Sequence, residues 1–155
     1  MKPPELIEFC NDWSAYEHEL NRVFITEIAQ GGLTFRGDSV SCRRFPETAN
    51  RWAAFWHLIQ EGMIETERTP DLRRCERIRW VRWVIENAET NPEINIWQNQ
   101  RGNETNTLLW FRTEYLVVLS HRNGYYLLKT AYCTEKRGRI AQLTKERDAF
   151  LNSNP

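Results

Sequence analysis

The sequence predicts an α+β domain: N-terminal helices with a short β-hairpin, packed on a four-stranded antiparallel sheet, and a short C-terminal helix. Three observations predict it. Apolar residues recur at three- and four-residue steps up to Asn91-Pro92. β-rich runs separated by turn signals then fill residues 93–133, and helical spacing returns over 135–152. The chain has 155 residues, 41% hydrophobic and 27% charged, so 1–155 is read as one domain able to bury a core without disulfides.

The elements follow in order. Leu6, Phe9, Cys10, Trp13, Tyr16, Leu20, Val23, Phe24 and Ile28 make one apolar stripe over residues 4–29, with an interruption near Asn11. Gly31-Gly32 stops that helix. Leu33–Arg36 and Val40–Arg43 read as a hairpin around Gly37-Asp38. Pro46 opens a second helix over 47–61 with Trp52, Phe55, Trp56 and Ile59 inward, ended by Gly62. Thr69 caps a third helix, with Pro70 at its first position and Leu72, Cys75, Ile78, Val81, Ile85 and Ala88 as its buried stripe. Ile94–Gln98, Leu108–Phe111, Tyr115–Ser120 and Tyr125–Cys133 are the four strands. The polar stretch Gln100–Asn106 reads as a loop, and Asn123-Gly124 is a hairpin turn.

Several classes are excluded. No apolar run is long enough to span a membrane, and the start MKPPELIEF predicts no secretion signal, hence a cytoplasmic protein. Cys10, Cys42, Cys75 and Cys133 form no CxxC pair, and His18, His57 and His121 are scattered. Neither a disulfide framework nor a metal site is therefore expected, and Cys10 and Cys75 are read as buried. No dinucleotide fingerprint, P-loop or nucleophile elbow is present, and no cofactor is expected.

The zero net charge hides a gradient. Residues 1–30 hold six acids against two bases, an acidic N-terminal element that is a candidate regulatory or partner-binding segment. Residues 68–82 hold six arginines against two acids, and 121–147 hold seven bases against two acids. The basic segments are either solvated helix faces or a phosphate-binding surface.

The candidate site residues sit among these patterns. His57, in FWHLI, flanks the apolar stripe and is either a core histidine or a shielded general acid/base. Arg74 and Arg77 share a helix face and offer cations to a phosphate. In YYLLKTAYC, strict alternation puts Tyr126, Leu128, Thr130 and Tyr132 on one face and Lys129 on the other. Thr130 and Tyr132 then project together, as phosphate ligands or as ordinary strand residues. His121 ends a hairpin beside Arg122 and is read as exposed. Trp97 and Trp110 serve either as core or as stacking platforms.

FWHLI in one helix, RRCERIRWVRWVIENA in the next, and EYLVVL and YYLLKTAYC in the last strands occur in an order that resembles the superfamily of metal-independent nucleases grouping barnase, EndoU, the colicin tRNases and RelE-type toxins, in its phage-associated branches. That resemblance implies RNA cleavage by attack of the ribose 2′-OH, on tRNA or mRNA. It implies His57 as general acid/base, Arg77 on the phosphate charge, and Thr130 and Tyr132 as positioning groups. Lys129, Arg74, His121 and Trp97 would bind substrate, and Glu114 is a candidate base. An antitoxin or immunity protein is the implied partner. The alternative is a non-catalytic RNA- or protein-binding module of the same fold.

Overall fold

The computed structural model describes residues 2–62 and 67–153. Its elements are α1 (Trp13–Val23), a π-helical turn (Phe24–Ala29), β1 (Thr34–Phe35), β2 (Asp38–Ser41), α2 (Ala53–Ile59), β3 (Gln60–Glu61), β4 (Thr69–Pro70), α3 (Leu72–Glu76), α4 (Ile78–Asn87), β5 (Ile94–Arg101), β6 (Glu104–Phe111), β7 (Tyr115–His121), β8 (Tyr126–Cys133) and α5 (Arg137–Ser153).

The fold is α+β, but the sheet is not the four-stranded antiparallel one that the sequence predicts. It has six strands in the order β1-β2-β8-β7-β6-β5. β5 to β8 form the expected antiparallel meander. The early hairpin then joins it, with β2 parallel to β8 through Val40–Tyr126 and Ser41–Leu127. Parallel partners need a long crossover, which here is everything from α2 to β7. A two-residue contact between segments so far apart leaves no local pattern to read.

The two faces of the sheet are covered differently. The larger core holds Leu20, Phe24, Phe55, Ile59, Val81, Val84, Phe111, Val117 and Ala131, between the first four helices and one face. A second core gathers Trp97, Leu108, Trp110, Leu116 and Leu143, where α5 covers the other face. The C-terminal helix is therefore not short: it runs 17 residues. Leu143 is its one buried residue among those described, flanked by Ile140 and Phe150, so its apolar row is thin.

Polar bonds supplement that thin row. Trp97 Nε1 (2.9 Å), Asn99 Nδ2 (2.9 Å) and Arg101 Nη2 (2.5 Å) all donate to the Glu146 carboxylate. Burial pushes this carboxyl up, but the bonds from Asn99, Trp97 and Arg101 outweigh burial and hold it below its ordinary range. A depressed folded-state pKa contributes stability above the unfolded value of about 4.3, lost as pH falls through the folded value. Stability should therefore fall below about pH 4, and Glu146→Gln should flatten that limb in urea unfolding measured against pH. An identical limb in the variant would remove Glu146 as its source.

The helical layer departs from the sequence reading at its ends. The first helix starts only at Trp13: Asn11 has φ 66°, and Asp12 is the N-cap, accepting from Ala15 N. Residues 4–7 instead lie along α3 and α4, where Ile7 N donates to Glu76 O and Trp80 Nε1 to Pro4 O. Cys10 is consequently exposed, against expectation, whereas Cys75 is buried. The second helix begins at Ala53 rather than 47, because Thr48 and Arg51 exchange backbone bonds around Ala49 and Asn50, both at positive φ. Asp71, not Thr69, caps the third helix, its Oδ1 accepting from Arg73 N and Arg74 N. Thr69-Pro70 pairs with Gln60-Glu61 as β4 against β3, and Leu72 is left exposed. The helix also breaks at Arg77 into α3 and α4.

Among the described residues no helix is long and apolar enough to cross a membrane.

Candidate functional site

The charge gradient resolves largely into internal ion pairs. Glu27 meets Arg79 (3.4 Å), Glu17 meets Arg51 (3.4 Å), Glu86 meets Arg82 (3.1 Å), Asp71 meets Arg74 (3.5 Å) and Glu135 meets Arg73. Much of the 68–82 basic stripe is thereby matched by acids of its own helices, by Glu27 of the π-helical turn and by Glu135 after β8. A cationic cluster in excess of its acids lies elsewhere, at the outer edge of β8.

Beyond Leu127 that edge no longer pairs with β2, and α2 and α3 pack against β8. A cavity of about 490 Å³ opens there, lined by Arg43, Ala54, His57, Glu104, Arg122, Leu127, Leu128 and Lys129. Each polar wall has its own origin. Arg43 follows β2, and its carbonyl accepts from Ala54 N at the start of α2. His57 is half-buried on α2, next to the inward Phe55, Leu58 and Ile59. Glu104 opens β6, paired with Arg101 across a two-residue turn at Gly102-Asn103. Arg122 follows β7.

Lys129 arrives through a bulge. Register runs Val118–Thr130 but Leu119–Leu128, so Lys129 has no cross-strand partner. This overturns the strict alternation read from the sequence. Tyr126 and Leu128 face the helices together with Ala131 and Cys133. Tyr132 faces the α5 side with Val118, Thr130's cross-strand partner. The bulge thus turns Lys129 out to Glu104, with Nζ at 3.1 and 3.3 Å from the carboxylate oxygens. Arg122 Nη2 donates to the same carboxylate at 3.1 Å. Lys129 first, then Arg122, hold the Glu104 carboxyl below its ordinary range, which keeps it ionised.

α2 itself has only seven residues, too few to hold as an isolated helix. Its last carbonyls are clamped from outside. Arg74 Nη1 donates to His57 O (3.1 Å) and Gln60 O (2.6 Å), and Arg68 Nη2 donates to Gln60 O (2.7 Å). Cations at a helix C-terminus complement its dipole. Arg74 therefore fixes the backbone that carries His57.

His57 also lines a second cavity of about 530 Å³, with Pro46, Thr48, Ala49, Ala53, Trp56, Gln60 and Arg68. It is the residue common to both.

The other predicted site residues lie elsewhere. Arg77 sits at the break between α3 and α4, donating to Arg73 O, 3.7 Å from Glu76 and stacked on Trp80. Thr130 is half-buried and lines neither of these cavities. Tyr132 accepts from Arg139 Nε (3.1 Å) and Nη2 (2.6 Å) in a separate cavity of about 350 Å³ with Arg74 and Lys136. His121 is half-buried, not exposed: its Nε2 lies 2.6 Å from Thr107 Oγ1 and its ring edge meets Tyr126. Trp97 is wholly buried, so it is core and not a stacking platform. Glu114 is exposed in the β6–β7 turn. The structure thus brings Lys129 to His57, but not Arg77, Thr130 or Tyr132.

Arg43, Glu104 and Arg122 are the members that sequence reasoning missed. Glu104 had a signal: Gly-Asn at 102–103 marks a two-residue hairpin, which would have placed it on a strand. Lys129 was among the expected residues, but the bulge that carries it was not, and its signal is that the apolar series Tyr126, Leu128, Ala131, Cys133 skips a step. Arg43 and Arg122 had none.

Thiolate chemistry is disfavoured, since burial pushes the Cys42 and Cys75 thiols up to about 12 and raises Cys133 as well. Among the described residues no three His, Cys, Asp or Glu side chains gather as a metal would require.

No family model, curated protein or solved structure matches this chain.

Proposed function

We propose that the protein is a metal-independent endoribonuclease acting at the β8-edge cavity. The observation that supports this reading is that one cavity holds an imidazole, an ionised carboxylate and three cations: His57, Glu104, Arg43, Arg122 and Lys129. These are the groups that transesterification of RNA needs. Glu104 takes the ribose 2′-OH proton, and the 2′-oxygen attacks the adjacent phosphorus. The bond from phosphorus to the 5′-oxygen breaks, and His57 in its imidazolium form gives that oxygen a proton. Arg43, Arg122 and Lys129 offset the charge on the phosphoryl oxygens. The products are a 2′,3′-cyclic phosphate and a 5′-hydroxyl.

On this reading the protein works in the cytoplasm and is held in check by an antitoxin- or immunity-type partner. A second reading, a non-catalytic RNA-binding module, is favoured by one observation: Arg77 and Thr130 do not join His57 in either cavity.

Incubation with tRNA and unstructured RNA in EDTA separates the two. The first reading expects cleavage with cyclic phosphate ends. Binding without cleavage at any protein concentration would establish the module instead.

A further inference from the structure

The cavity on the other side of His57 is built unlike the cationic one. Trp56 is half-buried in its wall, and its Nε1 is already spent on Thr48 O at 3.0 Å. What Trp56 has left to offer is its ring. Phe55 braces that ring edge-on at 5.1 Å between centroids. Pro46, Ala49 and Ala53 add apolar wall. Arg68, also in the lining, donates to Gly62 O (2.9 Å) and Gln60 O (2.7 Å), which holds its guanidinium in place. The Gln60 side chain completes the lining with an amide that no described residue bonds. A braced aromatic face, small apolar walls and one amide with both donor and acceptor suit a flat heterocycle with a polar edge.

From this we infer that the Trp56 cavity is a nucleobase subsite: an unpaired base of single-stranded RNA stacks on Trp56 and presents its edge to Gln60. The inference rests on the cleavage reading of the neighbouring cavity. His57, common to both walls, then lies where the ribose and phosphate of that nucleotide pass from one cavity to the other. Unstacked bases lying on aromatic rings are the usual mode of single-strand recognition. Stacking tolerates every base, whereas an amide discriminates among base edges, so affinity is assigned to Trp56 and base preference to Gln60.

The test uses the full chain and short 2′-O-methyl RNA oligonucleotides, which cannot be cleaved, each with an abasic counterpart. Trp56→Leu should weaken binding of the base-bearing oligonucleotides by roughly tenfold, by the usual loss of one stacked base. It should leave the abasic ones unchanged. Gln60→Ala should level the ranking of the four homopolymers with little loss of mean affinity, and it covers the case in which Trp56→Leu does not fold. Lys129→Ala should instead lower the slope of log affinity against log salt by about one for every oligonucleotide. Equal losses by Trp56→Leu on base-bearing and abasic strands, or an unchanged ranking in Gln60→Ala, would overturn the subsite. Its failure is distinct from that of the cleavage reading. RNA bound with these preferences but never cleaved removes the chemistry alone, and RNA cleaved equally by Trp56→Leu removes the subsite alone.

Discussion

Replacing His57 by alanine is expected to lower the rate of RNA cleavage by about 10²- to 10⁴-fold, the usual contribution of a positioned proton donor. The fold should survive, because His57 is only half-buried and the buried residues of α2 are Ala53, Ala54, Phe55, Leu58 and Ile59. Affinity for uncleavable RNA should change little, since Arg43, Arg122 and Lys129 remain. A substrate with an activated leaving group makes the assignment specific. A nitrophenyl ester of a nucleoside 3′-phosphate needs no proton on departure, so His57→Ala should cleave it at close to the wild-type rate. Equal losses on both substrates would move His57 from acid to base. An undiminished rate on RNA would remove it from the chemistry. The pH profile adds a second check. Glu104 is held below its ordinary range by Lys129 and Arg122, so the base remains ionised below the ordinary glutamate pKa of about 4.3. The acid limb of the wild-type rate should accordingly lie below that value, and Lys129→Ala should move it up.

The largest expected loss of stability comes from Trp110. It is wholly buried in the second core, its ring centroid 5.8 Å from that of Trp97 and 5.8 Å from the Arg147 guanidinium carbon. Its Nε1 donates to Thr134 Oγ1 (2.9 Å), and that hydroxyl donates to Thr113 O (2.6 Å). Trp110→Ala should cost about 3–5 kcal/mol, the range for buried aromatic truncations. Against a typical total of about 5–15 kcal/mol this lowers Tm by roughly 10 °C. Trp110→Phe should keep most of the packing and lose chiefly the bond to Thr134. Thermal and urea unfolding measure both. A loss under about 1 kcal/mol in Trp110→Ala would mean that α5 is not docked on this face.

The legible parts of the sequence were those with a local cause. The Asn123-Gly124 turn, the strand runs of the meander and the stripe through Val81 and Ile85 are each written in neighbouring residues. So is the half-exposed placement of His57, since it follows from helical spacing alone. The misread parts had causes at a distance. Asp71 displaced Thr69 as a cap because β3 recruits Thr69-Pro70 into a ladder. Tyr132 and Lys129 were assigned to faces by alternation, which a bulge opposite Val118 and Leu119 breaks.

The sequence by itself determined an α+β chain, a four-strand meander, a closing helix and a histidine at the margin of a core. Those follow from periodicity and turn chemistry, which act over a few residues. Tertiary structure alone decided that the early hairpin joins the sheet and where cations outnumber the acids beside them. It also decided that Glu104, Arg122 and Lys129 meet His57. The physical reason is that strand pairing and ion pairing are settled by which surfaces remain after the core has closed. The basic segment richest in arginine was drawn largely into ion pairs, and the cations in excess lie at a strand edge where the β8 bulge, the segment after β2 and the β7–β8 turn come together.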